Sequence, residues 1–153
     1  MAPPSDHVKI SCDASFCLNP LSVSAAAILR DSEGRIIGGH ASLVNARSVE
    51  VAEALSIRMG LETAVKAGLH HIIVESDNFN LINRIVSKVQ SFWETVALEE
   101  DILDLSSSFS SCSFVYIPRC CNQVADWVAK NFRSSACPRD WPTSVPPGLR
   151  NLL

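Results

Sequence analysis

The sequence predicts an α/β domain with a five-stranded mixed sheet, an antiparallel meander extended by parallel strands, and helices on both faces. Three strand-like segments fall within the first 42 residues, with a turn sequence between the second and the third. After residue 48, helix-like segments alternate with short β-branched ones, a pattern typical of crossover connections onto parallel strands. The length of 153 residues suits one domain.

The meander is predicted from residue alternation and turn chemistry. Residues 8–13 alternate apolar and polar side chains with period two, as in a strand with one buried face. Residues 24–30 form a second apolar stretch and residues 35–42 a third. Between them, residues 31–34 have turn composition and end in a glycine, which adopts positive φ at little cost. We therefore expect a tight hairpin there.

The remaining elements follow from helical spacing and β-branched runs. The first helix has a capping serine at its start, Ser48, and a terminating glycine, Gly68. The acids Glu99, Glu100 and Asp101 are interpreted as a solvated helix face. The predicted elements are helices over 48–67, 78–89, 93–105 and 122–131, strands over 71–75 and 114–117, and a serine-rich loop over 106–113.

Composition limits the class of protein. Apolar residues make up 47% and charged residues 19%, which indicates a globular chain. The longest aliphatic run, 25–29, is too short to cross a bilayer, and residues 1–7 resemble no secretory signal. We expect an intracellular protein, nuclear or cytoplasmic and not secreted, without membrane attachment and monomeric. The net charge of −3 argues mildly against broad electrostatic adhesion to nucleic acid.

The chain is divided into three parts. Residues 1–7 are expected to be a flexible N-terminus, 8–132 the folded domain, and 133–153 a proline-rich tail, poorly ordered unless Trp141 pins it. The six cysteines lack the paired spacing of zinc sites. We interpret them as free, mostly buried side chains.

Four acids occupy positions where α/β folds bind ligands. Asp13 ends the first predicted strand, Asp77 follows the fourth, Glu53 lies in the first helix and Asp126 in the last. Acids at the carboxyl ends of strands lie at the usual ligand-binding edge, and magnesium prefers carboxylate oxygens. Two such ions about 3.5–4 Å apart can activate water and stabilise a leaving oxygen. We predict that these four acids hold Mg²⁺ against a phosphate.

Each acid has a simpler interpretation. Asp13 could terminate its strand, and Asp77 could cap the next helix as well as bind metal. Glu53 could serve as a helix-dipole partner, and Glu50, one turn earlier, is its rival as a ligand. Asp126 could be a solvated acid, since it shares a helix face with Asn122 at i, i+4 spacing.

Five motifs follow one another along the chain. They are Val-Lys-Ile-Ser-Cys-Asp-Ala-Ser at 8–15, the hairpin at 28–39, Ala-Glu-Ala at 52–54 followed by Gly60-Leu61 and Ala64, Ile-Val-Glu-Ser-Asp-Asn at 73–78, and Pro-Arg-x-x-Asn-x-Val-Ala-Asp-x-x-Ala at 118–129. In this order they resemble the ribonuclease H superfamily, in particular the reverse-transcriptase-like domains of plant retroelement-derived proteins. The resemblance spans about residues 8–131.

The resemblance implies hydrolysis of the RNA strand of an RNA–DNA hybrid. It implies two Mg²⁺ ions, with Mn²⁺ as a substitute, bridged by Asp13; Glu53 and Asp77 would hold one ion and Asp126 the other. Hybrid recognition would rest on phosphate and 2′-hydroxyl contacts. The expected nucleic-acid contacts are Ser15, Asn78, Arg119 and Asn122.

Three positions depart from the family pattern. Ala14 replaces the glycine that usually follows the first aspartate, residues 24–27 replace a glycine-rich stretch, and Tyr116 stands near the usual histidine. These departures affect rate and substrate fit more than metal binding, because none of them is a predicted ligand. They motivate an alternative, a catalytically weak or inactive nucleic-acid-binding module derived from a retroelement, and a third hypothesis, a protein-interaction domain.

Overall fold

The structure, a computed structural model, describes residues 5–18, 21–88, 93–137, 141–143 and 145–153. Its strands are β1 (Val8–Leu18), β2 (Leu21–Arg30), β3 (Ile36–Leu43), β4 (His71–Ser76) and β5 (Ser111–Tyr116). Its helices are α1 (Val49–Lys66), α2 (Phe79–Ser87), α3 (Val96–Ser106), α4 (Gln123–Arg133) and the short α5 (Pro147–Arg150), with a 3₁₀ turn at Arg119–Cys121.

The five strands form one mixed sheet in the order β3-β2-β1-β4-β5. The β1–β2 and β2–β3 pairs are antiparallel, whereas β1–β4 and β4–β5 are parallel. The predicted meander extended by parallel strands is therefore confirmed. Parallel neighbouring strands require a crossover connection. The long helix α1 lies in the connection that leads to β4, the parallel neighbour of β1.

Helices cover both faces of this sheet, as the sequence predicted. On one face, Ile10, Cys12 and Leu29 join a core formed with α1, α2 and α3. On the other face, Ala26 and Ile28 pack against α4. Within the described ranges, no helix is long and apolar enough to span a membrane.

Two predicted strand boundaries were wrong. The first strand does not end at Asp13: β1 continues to Leu18 because its backbone stays paired with β2 as far as Leu21. The fifth strand begins at Ser111, inside the predicted serine-rich loop, where it pairs with His71 of β4. In both places the ladder of backbone hydrogen bonds outweighs weak local β propensity.

Two other interpretations also need correction. The helix predicted to run to residue 89 ends at Ser87, because Lys88 adopts a left-handed conformation with φ 57°; residue 89 lies outside the described residues. Of the cysteines expected to be mostly buried, Cys120 and Cys121 are exposed. All six are free thiols, as expected.

The segment after residue 132 is more ordered than its prolines indicated. Trp141 is only 2% exposed, and Cys137 and Leu149 are also buried, all in the core formed with α4. These positions follow the exception that the sequence allowed, a tail pinned by Trp141, because apolar burial offsets the missing backbone hydrogen bonds. The boundaries at residues 7 and 132 stay predictions.

Candidate metal centre

Three of the four predicted acids meet at one edge of the sheet. Asp13, Glu53 and Asp77 each offer an oxygen, and these three oxygens lie within 4.8 Å of one another. Strand pairing explains two of the positions. Ser11 of β1 is in register with Glu75 of the parallel strand β4, so the residues two places further along, Asp13 and Asp77, come side by side.

Helix α1 brings the third acid. Ser48 caps the helix, accepting a hydrogen bond of 3.2 Å from Val51 N, and Glu53 follows one turn later, 6% exposed. Glu53 Oε2 is buried and receives no hydrogen bond from any donor in the described part of the chain. Its rival Glu50 instead accepts hydrogen bonds from Asn78 and Arg84. The choice between the two glutamates therefore falls on Glu53.

The pKa of each of the three carboxyl groups is raised, with burial as the largest cause. Burial, followed by the charge of Asp77, raises the pKa of Asp13 to about 7. Burial and then the charge of Asp13 raise the pKa of Glu53 well above its ordinary value. Burial also raises the pKa of Asp77, although Arg119 counteracts this effect. Without a cation, the site favours protonated carboxyls.

The donor set fits a hard divalent cation. All three groups offer carboxylate oxygens, the ligands that Mg²⁺ and related ions prefer. The buried, unpaired Glu53 Oε2 is a polar atom that normally requires a partner. A cation would supply that partner and would offset the mutual repulsion of the three acids.

Asp126 is placed differently from the other acids. It is half-buried in the first turn of α4, and its Oδ2 lies 3.0 Å from Nζ of Lys130, one turn further on. It is not among the three acids whose oxygens lie within 4.8 Å of one another. Its charge nevertheless raises the pKa of both Asp13 and Asp77. Asp126 is therefore close to the centre but engaged in its own ion pair.

The predicted nucleic-acid contacts divide into two pairs. Asn78 and Arg119 line a pocket of about 440 Å³ that opens beside the acids. Ser15 instead accepts a 2.8 Å hydrogen bond from Arg133 Nε. Asn122 is buried rather than on the exposed face expected for it, and its Nδ2 donates to Cys12 O at 2.9 Å. Only the first pair lines the pocket, and within it Asn78 is engaged with Glu50 and Leu81 N.

The pocket also contains residues that sequence reasoning missed. Val49, Phe79 and Asn80 line it together with Phe16. Phe79 and Asn80, in the first turn of α2, directly follow Asp77 and Asn78. Their closeness in sequence to a predicted ligand could have identified them. Val49 carried no such signal, because its position depends on how α1 meets the sheet.

The sheet order, the helices on both faces and the three converging acids define a domain with the ribonuclease H-like fold. Residues 11–132 match the family described as reverse transcriptase-like, and the chain belongs to that family. No curated protein matches it.

Solved ribonuclease H structures share this fold at low sequence identity. The N-terminal ribonuclease H domain of a Mycobacterium tuberculosis protein is 22% identical, with a TM-score of 0.77 over 86% of this chain and 96% of that one. Ribonuclease H1 from Halobacterium salinarum is 19% identical, with a TM-score of 0.79 over 85% and 99%. LC11 ribonuclease H1, solved with an RNA/DNA hybrid, is 18% identical, with a TM-score of 0.74 over 84% and 98%.

Proposed function

We propose that this chain is a divalent-metal-dependent nuclease that hydrolyses the RNA strand of RNA–DNA hybrids. The observation that carries the proposal is the convergence of Asp13, Glu53 and Asp77 from three separate elements. Similarity to a ribonuclease H1 that was solved with an RNA/DNA hybrid supports the choice of substrate. The pocket beside the acids supplies room for the nucleic-acid backbone.

The residues at the site have different proposed roles, metal binding for the acids and phosphate binding for Arg119. Asp13, Glu53 and Asp77 would hold Mg²⁺, or Mn²⁺ in its place. A bound pair of such ions supplies an activated water and stabilises the leaving oxygen. Arg119, exposed at the pocket, carries the positive charge that binds phosphate, and Asn78 contributes a polar lining. Asp126 would join the ligands through Oδ1, because its ion pair with Lys130 uses Oδ2.

The test is cleavage of an end-labelled RNA–DNA hybrid by the purified chain with Mg²⁺ or Mn²⁺. We expect fragments from the RNA strand only, ending in 3′-hydroxyl groups. Asp77→Asn should reduce the rate at least about a hundredfold, because it removes one charged ligand from the centre. Equal cleavage by the wild type and Asp77→Asn would refute the proposal, as would a folded wild type that cleaves nothing.

A second candidate is a nucleic-acid-binding module of the same fold that has lost catalysis. The ion pair of Asp126 with Lys130 favours it, because that pair leaves one fewer free carboxylate at the centre. Ala14, which lines the pocket where the family usually has glycine, also favours it. Hybrid binding that weakens with salt, together with no turnover in either metal, would select this function.

A further inference from the structure

A network of side chains behind the acids ties three helices together. Arg84 of α2 donates from Nη2 to Glu50 Oε2 of α1 at 3.0 Å. The same guanidinium donates from Nε to Glu99 Oε2 of α3 at 3.4 Å. Glu99 also accepts a hydrogen bond from the Thr95 hydroxyl. The side chains of Arg84 and Glu99 are only 11% and 3% exposed, so the interactions are largely shielded from solvent.

The network reaches the backbone on both sides of the candidate metal centre. Glu50 lies three residues before Glu53, a spacing that places both on the same side of α1. Its other oxygen, Oε1, accepts a 3.2 Å hydrogen bond from Asn78 Nδ2. Asn78 directly follows Asp77 and caps α2, accepting a 3.0 Å hydrogen bond from Leu81 N. Glu50 thus connects the part of α1 that carries Glu53 to Asn78, the residue that follows Asp77.

We infer that Glu50, Asn78 and Arg84 are positioning residues that hold Glu53 next to Asp77 at a spacing suited to a divalent cation. This inference deepens the proposed function and rests on it. Three acids in one place repel one another when they ionise. Without a brace, α1 and the β4–α2 junction would separate, and a cation would then have to draw them together at a cost to its affinity.

The alternative is a purely structural tie between helices, and the chain contains a matched example of one. Arg58 of α1 lies 3.5 Å from Glu62 and 3.2 Å from Asp101 of α3. Its contact with Glu62 lies within α1, so it links α1 to α3 through Asp101, and it lines pockets away from the metal centre. Arg58→Met reports what the loss of an interhelical arginine does to stability alone.

The sign of the change in metal affinity distinguishes positioning from charge. Arg84→Met removes a cation near the acids, so electrostatics alone would tighten the binding of a divalent ion. Positioning predicts the opposite, because Glu53 and Asp77 lose their fixed spacing. We expect Arg84→Met to weaken Mn²⁺ binding roughly ten- to a hundredfold, the range typical when support of metal ligands is lost.

The experiment measures Mn²⁺ affinity by calorimetry on the protein without nucleic acid, alongside urea unfolding of each variant. Arg84→Lys keeps the charge but cannot contact both glutamates as the planar guanidinium does, so it should bind Mn²⁺ with intermediate affinity. Arg58→Met should leave Mn²⁺ affinity within about twofold of the wild type, and it should lose less stability than Arg84→Met because its ion pairs are more exposed. In the cleavage assay, the metal concentration for half-maximal rate should rise more than kcat falls.

The outcomes separate this inference from the proposed function. If Arg84→Met binds Mn²⁺ as tightly as the wild type or more tightly, or if Arg58→Met weakens binding equally, the positioning role is refuted. A wild type that binds no Mn²⁺ refutes it as well. If the wild type binds Mn²⁺ in an Arg84-dependent manner but cleaves no hybrid, the positioning role stands and the proposed function fails.

Discussion

At Asp13, burial and repulsion by neighbouring acids both raise the pKa of the carboxyl group. Asp13 is 4% exposed, and its pKa is raised to about 7 first by burial and then by Asp77. A buried carboxylate without a cation destabilises the folded state, because the unfolded chain ionises freely in water. The same feature that would bind metal therefore costs stability when metal is absent.

This conflict predicts an unusual dependence of stability on pH. The unfolded Asp13 releases its proton near pH 3.8, and the folded one near pH 7. The folded state binds more protons between these values, so the free energy of unfolding should fall as pH rises through that window. Asp13→Asn removes the effect, and it should stabilise the metal-free protein above about pH 7 by up to about 4 kcal/mol.

Urea unfolding of the metal-free wild type and Asp13→Asn at several pH values checks this prediction. The difference between the two proteins should be small near pH 4 and should grow toward pH 8. Groups far from the centre cancel in the comparison, and the loss of the Asp13 charge lowers the pKa of Glu53, which acts in the same direction. Added Mg²⁺ should narrow the difference by binding the folded wild type. A difference that stays constant over the whole range would contradict the raised pKa of Asp13.

At the scale of single residues, the sequence identified the acids but could not give their spatial arrangement in full. The proximity of Asp13 and Asp77 could be predicted, because parallel pairing of their strands brings residues at equivalent positions together. The choice of Glu53 over Glu50 followed from motif similarity, and the physical reason emerges only from the partners of Glu50. Asn122 is buried and hydrogen-bonded to Cys12 O of a distant strand. Its spacing from Asp126 in the sequence does not indicate this contact.

At the scale of elements, the contact between α1 and the sheet depends on small side chains. A Cβ added to Gly60 would lie 2.8 Å from Cγ2 of Ile10, 3.1 Å from Cβ of Ala27 and 3.3 Å from Sγ of Cys12. The helix can therefore approach β1 and β2 this closely only with glycine at this position.

Gly60→Ala should destabilise the protein even though alanine favours helix. Overpacking a closed core costs about 1–3 kcal/mol, against a gain in helix propensity of up to about 1 kcal/mol. Val65→Ala, an exposed change on the same helix, should leave the free energy of unfolding nearly unchanged. Urea unfolding of both variants measures the contrast. If Gly60→Ala were as stable as Val65→Ala or more stable, the close helix–sheet contact would be disproved.

Elements were predicted where local signals agreed and were misjudged where partners in other elements decided. The core of β4 and the start of α1 carry strong local patterns, and both lie where the sequence placed them. Glu99 was interpreted as solvated because acids follow it directly. It is buried because Arg84, on a different helix, lies against it. The sequence of α3 by itself does not indicate this contact with a residue of α2.

At the scale of the whole molecule, the segment after α4 extends the core beyond the family's own boundary. The family match ends at residue 132, yet Trp141 packs with Val128 and Leu149 on the face covered by α4. Gly39 of β3 makes room for it, since a Cβ there would collide with the Trp141 ring. The sequence indicated that prolines interrupt regular structure here and that Trp141 could pin the segment, but it could not identify Gly39 as the contact because that residue lies far earlier in the chain.

Trp141 therefore tests where the cooperative unit ends. Trp141→Ala should lower the free energy of unfolding by about 3–5 kcal/mol, the cost typical of emptying a buried tryptophan site. Trp93→Ala is the matched control, because Trp93 is 83% exposed and should change stability by no more than about 0.5 kcal/mol. Urea unfolding followed by circular dichroism measures both. If the two variants were equally stable, residues 133–153 would lie outside the folding unit, and the domain would end at residue 132 as its sequence indicated.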